Sequence, residues 1–133
     1  MAAASNLTST FLRLRADCAI EKLPFDDTFW PRLMDGKLGR FHHEYLVTTS
    51  SFKTDWPSWE RHPAGDEIVC LLSGEATLVL ELPGGNETVA LARLGDFAFI
   101  PRGTWHTART TVETTMLFIT AGEGTEGRPA VSA

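Results

Sequence analysis

Residues 59–74 read WERHPAGDEIVCLLSG. Glu60 and His62 stand two positions apart, which on a strand turns both side chains to one face. Pro63-Ala64-Gly65-Asp66 has the composition of a tight turn. Ile68 to Leu72 is an apolar run of strand length. Glu67 opens that run and can face the same interior as His62. One imidazole and two carboxylates on adjacent strands make half of a metal site. A neutral imidazole with carboxylate oxygens suits iron, manganese, zinc or nickel. No cysteine joins the set, so a structural zinc site of the thiolate kind is not expected.

The other half must come from elsewhere in the chain. Residues 95–106 read GDFAFIPRGTWH. Pro101-Arg102-Gly103 is a rigid corner, and His106 follows it at the start of a strand. Bending the chain there brings His106 opposite His62.

Outward from these two stretches the pattern is that of strands. Glu44 to Phe52 is rich in β-branched and aromatic residues. From Glu75 to Leu82, Ala76, Leu78, Leu80 and Leu82 alternate with Glu75, Thr77 and Glu81. Pro83 to Asn86 turns the chain, and Glu87 to Leu94 returns as a hairpin partner. Phe97–Ile100, Thr104–Ala108 and Thr114–Thr120 complete the series, while Phe11, Leu12 and Leu14 begin order as a strand or a helical turn. Asp26 and Asp27 ahead of Thr28-Phe29-Trp30-Pro31 predict a short helix with Phe29, Trp30 and Leu33 on its buried face. Strands every eight to twelve residues, divided by glycine and proline, imply an all-β sandwich or barrel.

The two stretches resemble the two motifs of the cupin superfamily. The first family motif is His-x-His, three or four residues, Glu, six residues, Gly; here it is Glu60-x-His62, Glu67 and Gly74. The second is Gly, five residues, Pro-x-Gly, two residues, His, three residues, Asn; here it is Gly95, Pro101-x-Gly103, His106 and Thr110. The resemblance implies a double-stranded β-helix barrel, with its core at about residues 41–121 and the short helix N-terminal to it. It also implies one divalent metal ion, held by His62, Glu67 and His106. Three positions depart from the pattern. Glu60 replaces the first histidine, Thr110 the asparagine, and Thr54 a glycine expected six residues before Glu60. Glu60 is then a fourth ligand through oxygen, or a catalytic base beside a two-histidine, one-carboxylate face. Such a face leaves coordination positions open and suits oxygen chemistry on non-haem iron. Lewis-acid isomerisation or hydrolysis is the other use of an open metal.

The totals bound the alternatives. A chain of 133 residues favours one domain spanning 1–133, with 1–10 and 122–133 expected to be flexible. A net charge of −5 argues against a general nucleic-acid binder. No apolar run approaches the length of a membrane span. Residues 1–10 lack the basic start and apolar run of a signal peptide, and two cysteines make no disulfide framework, so a cytoplasmic protein is expected. Gly122 to Gly127 spells GxGxxG, without the strand, helix and βαβ unit that a dinucleotide fingerprint requires. The exposed strand edges of a lone barrel predict a homodimer, as the resemblance also does. The expected function is a metal-dependent, oxygenase-type enzyme acting on a small organic molecule. The alternatives are a non-catalytic barrel that senses a metabolite or metal, and a metal-free structural module. Tyr45, Phe97 and Phe99 line the cavity or pack in the core, Arg102 meets an anionic substrate or is a solvated loop residue, and His42 and His43, sent by strand geometry to opposite faces, are expected at the surface or a dimer contact, with at most one facing the cavity.

Overall fold

A computed structural model describes residues 2–130. In chain order the elements are β1 Thr10–Leu14, β2 Ile20–Pro24, α1 Phe29–Met34, β3 Tyr45–Phe52, β4 Ser58–Arg61 and β5 Glu67–Ser73. Then follow β6 Ala76–Leu82, β7 Gly85–Leu91, β8 Phe97–Ile100, β9 His106–Arg109, β10 Thr114–Ala121 and β11 Glu126–Pro129. They form two antiparallel sheets, ordered β2-β1-β3-β10-β5-β8 and β11-β4-β9-β6-β7. The jelly-roll barrel with a short N-terminal helix is the architecture of this chain.

The alternation in each strand decides what lies between the sheets. Val69 and Leu71 of β5, Leu78 and Leu80 of β6, Ala98 and Ile100 of β8, Ala108 of β9 and Met116 and Phe118 of β10 form the main core. Burying side chains of this size stabilises by roughly 1.5–3 kcal/mol each. The motif glycine has a specific task. Gly74 adopts φ +80°, and a Cβ there would lie 2.3 Å from the Glu113 carbonyl oxygen. Only glycine combines that backbone conformation with so close an approach.

A second cluster closes one end. Phe11, Leu23, Phe29, Phe41 and Leu46 are buried together. Of the helix face expected from sequence, only Phe29 is buried; Trp30 is 43% exposed. Arg13, 6% exposed, lies beneath the loop that follows the helix. Its guanidinium donates to the carbonyls of Leu38 (2.6 Å) and Arg40 (2.7 Å) and to Glu44 Oε1 (2.8 Å). It also stacks 4.0 Å above the Phe41 ring.

Several expectations need correction. His42 and His43 lie in a turn, with His43 at φ +56°, so strand alternation does not apply to them. Their rings pack 3.9 Å apart, and His42 Nδ1 meets Glu123 at 3.1 Å. Phe97 and Phe99 point outward, 59% and 55% exposed, because Ala98 and Ile100 take the inward positions of β8. Within the ends expected to be loose, the described residues hold local pairings, while residues 1 and 131–133 lie outside the described residues. Thr49 donates to the Leu7 carbonyl (2.9 Å), and Thr10 already belongs to β1. Glu126 to Pro129 pairs with β4 across Arg61 to Ser58.

Candidate metal centre

The two motifs meet at one end of the barrel. Glu67 begins β5 in the first sheet. Glu60 on β4 and His106 on β9 are direct cross-strand partners in the second sheet. His62 follows the end of β4. The corner after β8 clips the motifs together: the Gly103 N–H donates to the His62 carbonyl (3.1 Å), and the Arg102 N–H to Asp66 Oδ1 (2.8 Å). Arg102 therefore has a turn-holding role through its backbone. Tyr45 also serves the turn, donating its hydroxyl to the Asp66 carbonyl (2.9 Å). Thr110, where the family has asparagine, donates to the Glu75 carbonyl (2.6 Å).

His106 is fully buried, Glu67 is 2% exposed and His62 is 5% exposed. His106 Nε2 lies 2.9 Å from Glu67 Oε1, and His62 Nε2 lies 3.3 Å from Glu67 Oε2. Glu60 Oε2 stands 3.8 Å from His62 Nε2, with its side chain 42% exposed. Close as they are, His62 Nε2, His106 Nε2 and Glu67 Oε1 lack hydrogen-bond partners of proper alignment. Buried polar atoms left in that state are costly.

The outer nitrogens show which way the rings are set. His106 Nδ1 lies 3.0 Å from the Thr104 carbonyl, which can only accept. Nδ1 therefore carries the proton, and in the neutral ring Nε2 turns a bare lone pair toward Glu67. His62 Nδ1 meets the Thr125 hydroxyl at 2.9 Å. Thr120 donates its hydroxyl to Glu67 Oε2 (2.7 Å). Two lone pairs 2.9 Å apart in a buried place call for a cation between them. A proton is one answer and a divalent ion the other. Metal bonds of about 2.0–2.2 Å from nitrogen and oxygen put neighbouring donors roughly 3 Å apart, which the observed separations match. Glu60, His62 and His106 each offer one donor atom within 4.8 Å of the others. That set fits a divalent ion, and Glu67 stands between the two imidazoles, 2.9 Å from His106 Nε2 and 3.3 Å from His62 Nε2.

Electrostatics follow from the same contacts. Burial pushes the Glu67 carboxyl up, but the His106 and His62 imidazoles outweigh it and hold it at about 2. For His106, burial opposes the charge, and the Glu67 carboxylate prevails and raises the pKa above the ordinary 6.5. Burial raises Glu60 above the usual carboxylate range, against the pull of His62. The consequences for stability have opposite signs. Glu67 contributes above its unfolded value of 4.5 and loses that contribution as pH falls toward 2. His106 contributes below 6.5 and loses its share as pH rises through its raised folded value. The metal-free protein is therefore expected to be most stable between pH 4.5 and 6.5 in denaturant titrations run across pH. Added Zn²⁺ is expected to move the optimum upward, because ligands bind metal deprotonated.

Glu60, His62 and Glu67 line a cavity of about 650 Å³, within the range of small-molecule sites. Its walls include Leu46, Trp56 and Phe118, with Trp30, Leu33 and Met34 of α1 nearer the helix end. The loop from Gly122 to Thr125, the GxGxxG stretch, forms one side, and Gly39 to Phe41 forms another. Glu123 bridges them, 3.4 Å from Arg40 and 3.1 Å from His42. The role of this loop was not visible in the sequence, since its pairing partner lies some sixty residues away.

A sequence profile of the cupin domain matches residues 53–122. The chain belongs to the cupin domain family. Hydroquinone 1,2-dioxygenase from Sphingomonas sp. TTNP3, solved with 4-hydroxybenzoate bound, is similar in fold (TM-score 0.51, 17% identity), covering 60% of this chain and 60% of that one. A variant of Bacillus subtilis oxalate decarboxylase is similar at TM-score 0.50 and 17% identity, covering 65% of this chain and 23% of that one. A cupin-2 domain protein from Shewanella frigidimarina gives TM-score 0.45 and 17% identity over 65% of this chain and 71% of its own. No curated protein matches the sequence. No helix among the described residues is long and apolar enough to cross a membrane.

Proposed function

We propose that the chain holds one divalent metal ion through His62, Glu67 and His106, with Glu60 beside it, and acts as an oxygenase-type enzyme on a small organic molecule. The observation that carries this reading is the convergence of three buried donor atoms without hydrogen-bond partners, two of them on His62 and Glu67, which line the cavity, and the third on the fully buried His106. When bound, the ion would supply Lewis acidity and, if it is iron, access to dioxygen. The chain supplies the rest. The Thr104 carbonyl orients the His106 imidazole. Trp56, Phe118 and Leu46 exclude water from one side of a bound molecule. Glu60 lines the cavity and makes no side-chain hydrogen bond among the described residues, so it is free to take or return a substrate proton. The fold is shared with a dioxygenase solved with an aromatic acid bound, which supports the substrate class by analogy of fold only.

Oxygen uptake by the Fe²⁺-loaded protein, with phenols, thiols and diketones offered in turn, tests the reading. Substrate-dependent uptake that disappears in His62→Ala is expected. Full iron loading with no uptake for any class would turn the assignment to a non-catalytic binder.

We further propose that a second copy covers the outer face of the larger sheet. Cross-strand partners share a face, and Leu12, Val47, Ile119, Ile68 and Phe99 pair in succession across five strands. None is charged, whereas the chain carries −5. Two copies can approach through these five residues without opposing like charges, with Lys22 of β2 beyond Leu12 at the end of the row. Sedimentation is expected to show a dimer for the wild type and a monomer for Phe97→Lys/Phe99→Lys. A dimer that survives both lysines must use another surface.

A further inference from the structure

The C-terminal strand does more than extend a sheet edge. Its pairing with β4 runs Glu126 opposite Arg61, Gly127 opposite Glu60, Arg128 opposite Trp59 and Pro129 opposite Ser58. One step further in that register, Thr125 stands opposite His62. Its hydroxyl lies 2.9 Å from His62 Nδ1. The strand is clasped from outside. Arg61 meets Glu126 at 3.0 Å, and Arg128 stacks over Trp105 (4.5 Å) and Trp59 (5.2 Å) while bonding Glu81. On the inner side, Gly124 and Thr125 line the cavity beside His62.

We propose that Thr125 is a positioning residue for the metal centre. By accepting the Nδ1 proton of His62 its hydroxyl supports the tautomer whose Nε2 lone pair faces Glu67, the form that can bind a metal, and β11 is the clasp that delivers it. The inference rests on the metal reading above and adds to it a residue from outside both motifs. The imidazole of His106 is set by a backbone carbonyl that no substitution removes. That of His62 depends on a single side-chain hydroxyl. Partners of this kind typically govern metal affinity by 10- to 100-fold. Thr125 itself is exposed, so water can partly replace the hydroxyl. The effect should fall near the lower bound, about tenfold.

Exposure also makes Thr125 replaceable without loss of the fold. The experiment is a Co²⁺ titration of wild type, Thr125→Val and Thr125→Ser, followed by visible absorption, with thermal unfolding of each metal-free protein alongside. The expected result is about tenfold weaker binding for valine and affinity close to wild type for serine. Metal-free melting temperatures should agree among the three. Valine that binds as tightly as wild type overturns the inference and leaves the metal reading intact, and so does serine as weak as valine. A wild-type chain that takes up no Co²⁺ overturns both.

Discussion

His106→Ala is expected to abolish stoichiometric metal binding, a loss well beyond the 10- to 100-fold attached to groups that merely orient a ligand. His106 has no solvent exposure and its Nε2 is 2.9 Å from Glu67 Oε1, so alanine removes a buried nitrogen donor outright. Glu67→Gln is the sharper companion, because it keeps the volume and removes only the charge and one acceptor. It should also lose the metal, while Glu60→Gln weakens binding less, since Glu60 is 42% exposed and 3.8 Å from its nearest imidazole. His42→Ala is the control: that ring sits in an exposed turn against Glu123 and should leave metal content unchanged. Metal analysis after dialysis, together with isothermal titration, reads all four. A His106→Ala protein that retains a full equivalent would remove the centre from this end of the barrel.

The parts of this arrangement that were legible in the sequence are the local ones. The two motifs announce themselves through turn chemistry: Gly74 must be glycine where it approaches the Glu113 carbonyl, and Pro101-Arg102-Gly103 makes the corner that donates to His62. Period-two alternation likewise indicated the inward face of β6, while β5 was legible only as a continuous apolar run. What was not legible depends on partners distant in the chain. In Phe97-Ala98-Phe99-Ile100 both alternate pairs are apolar, so pattern alone does not say which faces inward. Pairing of Ile100 with Glu67 settles it and turns both phenylalanines out. Glu126 to Pro129 contains glycine and proline, poor strand formers. It becomes a strand because β4 offers a free edge and Arg128 stacks on two tryptophans. Thr125 reaches the candidate site only through that pairing. The adjacent histidines misled because His43 takes a positive φ, which removes the alternation assumed for a strand.

Arg13 is the least legible residue of all, one cation in an otherwise strand-like TFLRL, and its replacement is expected to be the most destabilising single change outside the candidate site. The side chain is 6% exposed and makes three hydrogen bonds, two of them to the carbonyls of Leu38 and Arg40. Those carbonyls belong to the loop that carries Gly39, Arg40 and Phe41 to the cavity. Arg13→Ala strands both and removes the cation stacked on Phe41, for an expected loss of about 3–5 kcal/mol in urea unfolding. A domain of this size has roughly 5–15 kcal/mol to lose, so the variant should sit near the edge of stability. Arg13→Lys keeps a charge but not the planar fork that reaches three acceptors at once, and should recover only part of the loss. Arg13→Met/Glu44→Met replaces the pair by apolar groups and should recover more than Arg13→Met alone, since removing both members spares an unpaired buried carboxylate. A loss under about 1 kcal/mol for Arg13→Ala, the size of an exposed ion pair, would mean that the loop over the cavity is held by its aromatic packing alone.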